Sequence, residues 1–221
     1  MSGSDILREV DEALRVEKAK RFWEENGKAL IIFAVALVLA TAAQSAWKSY
    51  KHHQAEISTA KFVDALKSKE PLSALQTLSA EKNGSGSALA GLTAAGLAVG
   101  NKKWDNAISL YQEVIDNKSA PQTYRDLAMV QIASLKIDHG PKATADDLQK
   151  LIASVIKDKD SAWNTRALFI SALIKAEKQK DFKAAHNDLQ ILLTDTNIPP
   201  SFMAQIKALD EVYQIKGEHS K

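Results

Sequence analysis

Hydrophobic and polar positions follow two different patterns along this chain. From Ala29 to Trp47 they do not alternate: nineteen residues, ALIIFAVALVLATAAQSAW, carry no charge and stand between Lys28 and Lys48. As a helix rising about 1.5 Å per residue, the run spans roughly 28 Å, close to the hydrocarbon thickness of a bilayer. Phe22 and Trp23 precede it and Trp47 and Tyr50 follow, where interfacial rings belong. The pattern predicts one membrane-anchoring helix over 29–47. Two other readings compete. A buried core helix could be as apolar, although the rest of the chain supplies no sheath for it. A cleaved signal peptide would use the small-residue spacing of Ala40-Thr41-Ala42. Its leader, however, is 28 residues long and carries seven acidic against six basic residues, whereas signal peptides have short, basic leaders.

Beyond Lys48 the pattern changes to apolar residues three and four apart, the helical period, with no strand-like alternation. It predicts helices over 52–68, 71–80, 86–99, 104–117, 121–138, 142–157, 161–179, 182–193 and 200–216. The breaks are Lys69-Glu70-Pro71, Lys82-Asn83-Gly84-Ser85-Gly86, Gly100-Asn101, Asn117-Lys118-Ser119 before Pro121, Gly140-Pro141 and Asn197-Ile198-Pro199-Pro200. Connections this short set neighbouring helices antiparallel. The expected fold is all-α, an anchor followed by a solenoid of antiparallel helix pairs. Its expected organisation is a leader (1–28), the anchor (29–47), linking helices (48–85) and a repeat domain (86–221).

An internal echo supports the solenoid. The segment Trp104 to Val114 matches Phe182 to Leu192, and Asp147-Leu148-Gln149-Lys150-Leu151 echoes Asp188-Leu189-Gln190-Ile191-Leu192. Aligning Tyr111, Leu148 and Leu189 gives spacings of 37 and 41 residues. Two-helix units cannot hide their apolar faces alone, so they stack. Ala107 and Ala185 are small where helices approach, with Ala95 facing them from the preceding helix. Trp104 and Phe182 fill the turn, and Tyr111 and Leu189 continue the buried stripe. This rhythm resembles the tetratricopeptide repeat, with Thr144 in the middle unit where alanine is expected. A non-repeating bundle is the other arrangement open to these helices.

Charge narrows the function classes. From Lys48 onward, 23 Lys/Arg and 20 Asp/Glu are well mixed, and no basic patch is interleaved with aromatics, which argues against nucleic-acid binding. Arg15, Lys18, Lys20, Arg21 and Lys28 before the anchor, against Lys48, Lys51, Lys61 and Lys67 after it, favour slightly a cytoplasmic N-terminus. Nothing convergent for catalysis, a metal or a cofactor emerges. His52 and His53 point about 100° apart on a helix, and His139, His186 and His219 have no nucleophile or ligand partners at useful spacing. The expectation is a binding protein without enzymatic activity or cofactor. Tyr124, Trp163, Arg166 and Phe202, on first helices of pairs or in the last helix, are the candidate partner-binding residues, with a core role as the alternative. Ala36, Ala40 and Ala43 give the anchor a small-residue face suited to contact with another membrane helix, or simply facing lipid.

The N-terminal third carries a more specific resemblance. Lys20-Arg21-Phe22-Trp23 and Glu25-Asn26-Gly27-Lys28 immediately before the apolar run, with Trp47 and Tyr50 beyond it, resemble the YfgM family of bacterial inner-membrane proteins. That resemblance implies a cytoplasmic leader, one transmembrane helix and a periplasmic tetratricopeptide-like domain. It further implies an accessory subunit of the SecYEG channel, associated with a membrane-anchored periplasmic folding factor and helping pass exported proteins to chaperones. A holdase that contacts unfolded clients, and a scaffold for envelope assembly or stress signalling, are the other readings of the same features.

Overall fold

In a computed structural model of the chain, residues 44, 48, 49, 53, 56–140 and 142–219 are described. The chain divides into two units, Met1–Glu56 and Ile57–Lys221. In the first, Gln44, Lys48, Ser49, His53 and Glu56 are helical and exposed. The leader, the expected anchor apart from Gln44, and with it Ala36, Ala40 and Ala43, lie outside the described residues. Among the described residues no helix is long and apolar enough to cross a membrane.

The second unit is all-helical, with nine helices and no strand among its described residues. They are α1 (57–67), α2 (Pro71–Ala80), α3 (Gly84–Gly100), α4 (Trp104–Asp116), α5 (Gln122–His139), α6 (Ala145–Lys157), α7 (Asn164–Ile174), α8 (Phe182–Leu193) and α9 (Pro200–His219). Local chemistry sets the boundaries. Pro71 and Pro200 open α2 and α9, where a missing N–H costs nothing. Thr144 caps α6 reciprocally: its Oγ1 accepts the Asp147 N–H at 3.2 Å and donates to Asp147 Oδ2 at 2.6 Å. Asp181 accepts the Ala184 N–H to start α8. Asn164 Nδ2 donates to the Val155, Ile156 and Asp158 carbonyls, satisfying the end of α6 from the start of α7. The last turn after α7 widens into π geometry over Lys175–Gln179 and ends on Lys180 in the left-handed region.

Consecutive helices pack against one another throughout the stack. In addition, α3 touches α5 and α5 touches α7, whereas no comparable contact joins α4 to α6 or α6 to α8. The first helices of the pairs therefore crowd together and the stack curves towards them. At the start, α3 passes close to both α2 and α4 at Gly91, where an added Cβ would lie 2.5 Å from Ser79 Oγ and 2.7 Å from Val114 Cγ2. Gly96, in the same helix, has open space around it.

The repeat register differs from the sequence echo in its middle unit. The second helices begin at Trp104, Ala145 and Phe182, spaced by 41 and 37 residues. Counted from these starts, Leu148 occupies the position of Ala107 and Ala185, and Ile152 that of Tyr111 and Leu189; all six are buried. Thr144 precedes the helix as its cap, so it is not the counterpart of those alanines. A leucine in place of alanine holds α6 off its partner, and α5 and α6 touch less extensively than α3 and α4 or α7 and α8.

Apolar side chains form two cores. One gathers Leu75, Ala95, Ala107, Leu110, Tyr111, Val114 and Ile132; the other gathers Leu148, Ile152, Phe169, Ala185, Leu189, Ile206 and Tyr213. Helix α5 contributes Ala128 and Ile132 to the first and Val130 and Ala133 to the second, while Leu151 packs against both. Trp104 and Phe182 are only partly buried. Trp104 stacks on His139 with centroids 4.0 Å apart and planes 6° from parallel, and Phe182 lies 5.9 Å from Tyr213.

Candidate protein-binding edge

Short connections make α5, α7 and α9 run in one direction, so their N-termini line one edge of the stack. Tyr124, Arg166 and Phe202 are each the third residue of these three helices. The structure brings two of them together. Arg166 is exposed, and its guanidinium lies 5.1 Å from the Phe202 ring centre and 5.7 Å from that of Phe169. The rings meet edge to face at 5.1 Å, with Phe169 buried and Phe202 half-buried. Arg166, Ser201, Phe202 and Gln205 line an open hollow of about 500 Å³. No carboxylate pairs with Arg166 among the described residues. The arginine is therefore held by its aromatic floor while its N–H groups stay free to meet an incoming acceptor.

The other two candidates are not part of this cluster. Tyr124 packs, half-buried, on the first core, and Trp163, in the turn before α7, on the second. The Trp163 indole N–H is buried without a partner among the described residues. Nearby, Ser161 Oγ donates to Asp126 Oδ2 at 2.7 Å and Gln122 Nε2 donates to Asp126 Oδ1 at 2.6 Å, fixing the turn before α7 to the start of α5. Phe169 escaped the sequence reading because it looks like one more apolar residue of a buried helix. Its only signal is the three-residue spacing from Arg166, which places both on one face.

Polar groups elsewhere serve the stack. Lys175 Nζ lies 2.7 Å from Asp188 Oδ2, which also accepts from Ser171 Oγ at 2.7 Å. His186 Nδ1 approaches Asp210 Oδ1 to 2.7 Å, out of line for a hydrogen bond, while Gln190 Nε2 donates to Asp210 Oδ2. Burial pushes the Tyr111 hydroxyl above its ordinary value; at Tyr213 burial does the same, helped by the charge of Glu177. Among the described residues no group of three His, Cys, Asp or Glu could hold a metal ion.

A curved stack of antiparallel helix pairs, with a preorganised cation and aromatics on one edge, belongs to the class of repeat scaffolds that bind other proteins. Residues 20–167 match the tetratricopeptide repeat-like domain family, and the chain belongs to it. The matched segment begins in the basic stretch before the apolar run and extends to the first residues of α7. No curated protein and no solved structure matches the chain.

Proposed function

We propose that this protein is a membrane-anchored adaptor of the SecYEG channel, in the manner of the YfgM family. In this reading its N-terminus is cytoplasmic, residues 29–47 cross the bacterial inner membrane, and the helical stack lies in the periplasm. There it receives a membrane-anchored folding factor and helps pass exported proteins to chaperones. The observation that carries the binding role is Arg166, exposed and unpaired over Phe169 and Phe202. A few fixed anchors beside a hollow suit one specific partner better than many unfolded ones. The translocon assignment rests on the leader and anchor sequence, Lys20-Arg21-Phe22-Trp23 to Tyr50. A holdase is the second reading, favoured by Leu89 and Leu97, which are exposed on α3.

Crosslinking in intact cells tests the proposal, with photoreactive residues within 29–47 and at Tyr124, Trp163 and Phe202. Channel subunits caught from the anchor, together with one dominant folding factor caught from Phe202, are the expected products. A broad set of secreted chains would favour the holdase. Partners unrelated to protein export would sink the translocon assignment.

A further inference from the structure

The seam between α6 and α7 holds a second surface. A groove of about 460 Å³ runs along it, closed at one end by Asp188 of α8. Leu168 and Ser171 lie roughly 200° and 140° around α7 from Arg166 at 100° per residue, so the groove opens on the opposite face from the aromatic edge. Its floor is apolar, formed by Ala153, Ile156 and Leu168.

The rim is basic at both ends. Lys157 stands at one end and Lys150 at the other, both exposed and without a carboxylate partner among the described residues. Lys175 joins Lys150, and its bond to Asp188 neutralises the one acidic group in the lining. Ser171 donates to Asp188 and Gln149 Nε2 donates to Ser171 at 3.3 Å, so the acid end is locked inside the protein. What the groove offers a ligand is positive charge, apolar surface, positive charge. Lys150 and Lys157 are seven residues apart on α6, which sets the charged ends roughly 10 Å apart along the helix. In an extended chain, carboxylates at i and i+4 share one face about 13 Å apart with the side chain at i+2 between them, a span that two flexible lysines about 10 Å apart can meet.

We propose that this groove binds an extended acidic segment of a partner protein, with an apolar side chain set between two carboxylates. The inference rests on the reading of the chain as a protein-binding adaptor, and it adds a site separate from the Arg166 edge. It is tested with the full chain in mild detergent and a fluorescein-labelled peptide in which a Leu stands midway between two glutamates four residues apart. Fluorescence polarisation should show saturable binding that weakens as salt is raised. Lys150→Glu with Lys157→Glu, both on the exposed face of α6, should lower the affinity at least tenfold while the thermal midpoint moves by only a few degrees, the cost of a reversed charge in the last turn of α6. A peptide with lysines for the glutamates should bind this double variant and not the parent, and serine for the Leu should abolish binding to the parent. Equal affinity of the peptide for parent and double variant, or no binding by the parent at millimolar peptide, overturns the proposal. Equal binding of the serine peptide does so too, because it removes the role of the floor. None of these results touches the crosslinks from Phe202, so failure of the groove and failure of the adaptor reading are told apart.

Discussion

Two glycines in one helix make a paired test of how α3 is packed. Gly91 and Gly96 both sit inside α3, where glycine is about 1 kcal/mol worse than alanine on backbone entropy alone. At Gly96 nothing lies within 4 Å of an added Cβ. Gly96→Ala should therefore stabilise the stack by up to about 1 kcal/mol. At Gly91 the same methyl group would meet Val114 Cγ2 at 2.7 Å and Ser79 Oγ at 2.5 Å. Ser79 and Val114 are buried on two different helices, and Val114 is β-branched with few rotamers to retreat into. Overpacking of this kind costs about 1–3 kcal/mol, which cancels or exceeds the propensity gain and leaves a net loss of up to about 2 kcal/mol. The two variants should thus differ by about 1–3 kcal/mol, the overpacking cost, for an identical chemical change. Urea unfolding of the full chain followed by circular dichroism reads this directly. For a unit of this size, each 1 kcal/mol also moves the thermal midpoint by about 2–4 °C. Adding Ser79→Ala to Gly91→Ala should recover only part of the loss, since Val114 remains in the way. If Gly91→Ala matched Gly96→Ala in stability, the close passage of α3 against α2 and α4 would be refuted.

Three further outcomes follow from the side-chain geometry. Arg166→Ala should lower stability by no more than about 1 kcal/mol, the worth of exposed cation–π contacts, yet remove most of the partner crosslink formed from Phe202; retention of that crosslink would argue against the edge as a binding site. Asp188→Ala should cost about 1–3 kcal/mol by urea unfolding, because it removes the carboxylate from Lys175 and leaves the buried Ser171 hydroxyl only the longer acceptor, Gln149 Oε1 at 3.3 Å; a loss under 0.5 kcal/mol, on the order of a surface change, would refute a structural role for the network. Tyr111 and Tyr213 resist ionisation in the folded state, so their stabilising contribution is whole below their unfolded value of 10.0 and is lost as pH rises towards the higher folded values. Tyr111→Phe and Tyr213→Phe should each flatten the fall of the urea midpoint as pH rises above 10.0, relative to the parent, and an unchanged slope would contradict the burial of these hydroxyls.

Helix boundaries were legible because the signals are local. Proline at a helix start and the Asn-Gly and Gly-Pro breaks act within a few residues, and the predicted 71–80 and 182–193 agree with α2 and α8 at both ends. Register was less legible. The echo of Asp147-Leu148-Gln149 in Asp188-Leu189-Gln190 is genuine as text, but its two aspartates do different work. Asp147 exchanges hydrogen bonds with Thr144 at the entrance to α6, whereas Asp188 sits mid-helix and binds Lys175. Similar letters thus fall one turn apart in equivalent helices, and only the caps reveal it. The aromatic edge needed contacts across more than thirty residues. Arg166 and Phe202 could be singled out as types, but their meeting, and the part of Phe169, depends on where α9 returns against α7. The π turn at Lys175–Gln179 has no signature of its own in the local sequence.

The looser fit of α6 on α5 has a mechanical consequence. A solenoid whose units touch only their neighbours bends like a spring of unequal coils, and its softest coil is the joint with the least shared surface. Here that joint lies inside the pair whose first helix, α5, carries Tyr124, with Arg166 on α7 and Phe202 on α9 beyond it. Bending at this point changes the distance between Tyr124 at one end of the edge and Arg166 with Phe202 at the other, and it works against the part of the second core that α5 and α6 share. A partner long enough to touch both ends therefore selects one curvature of the stack, and its grip stiffens a scaffold that is compliant when empty.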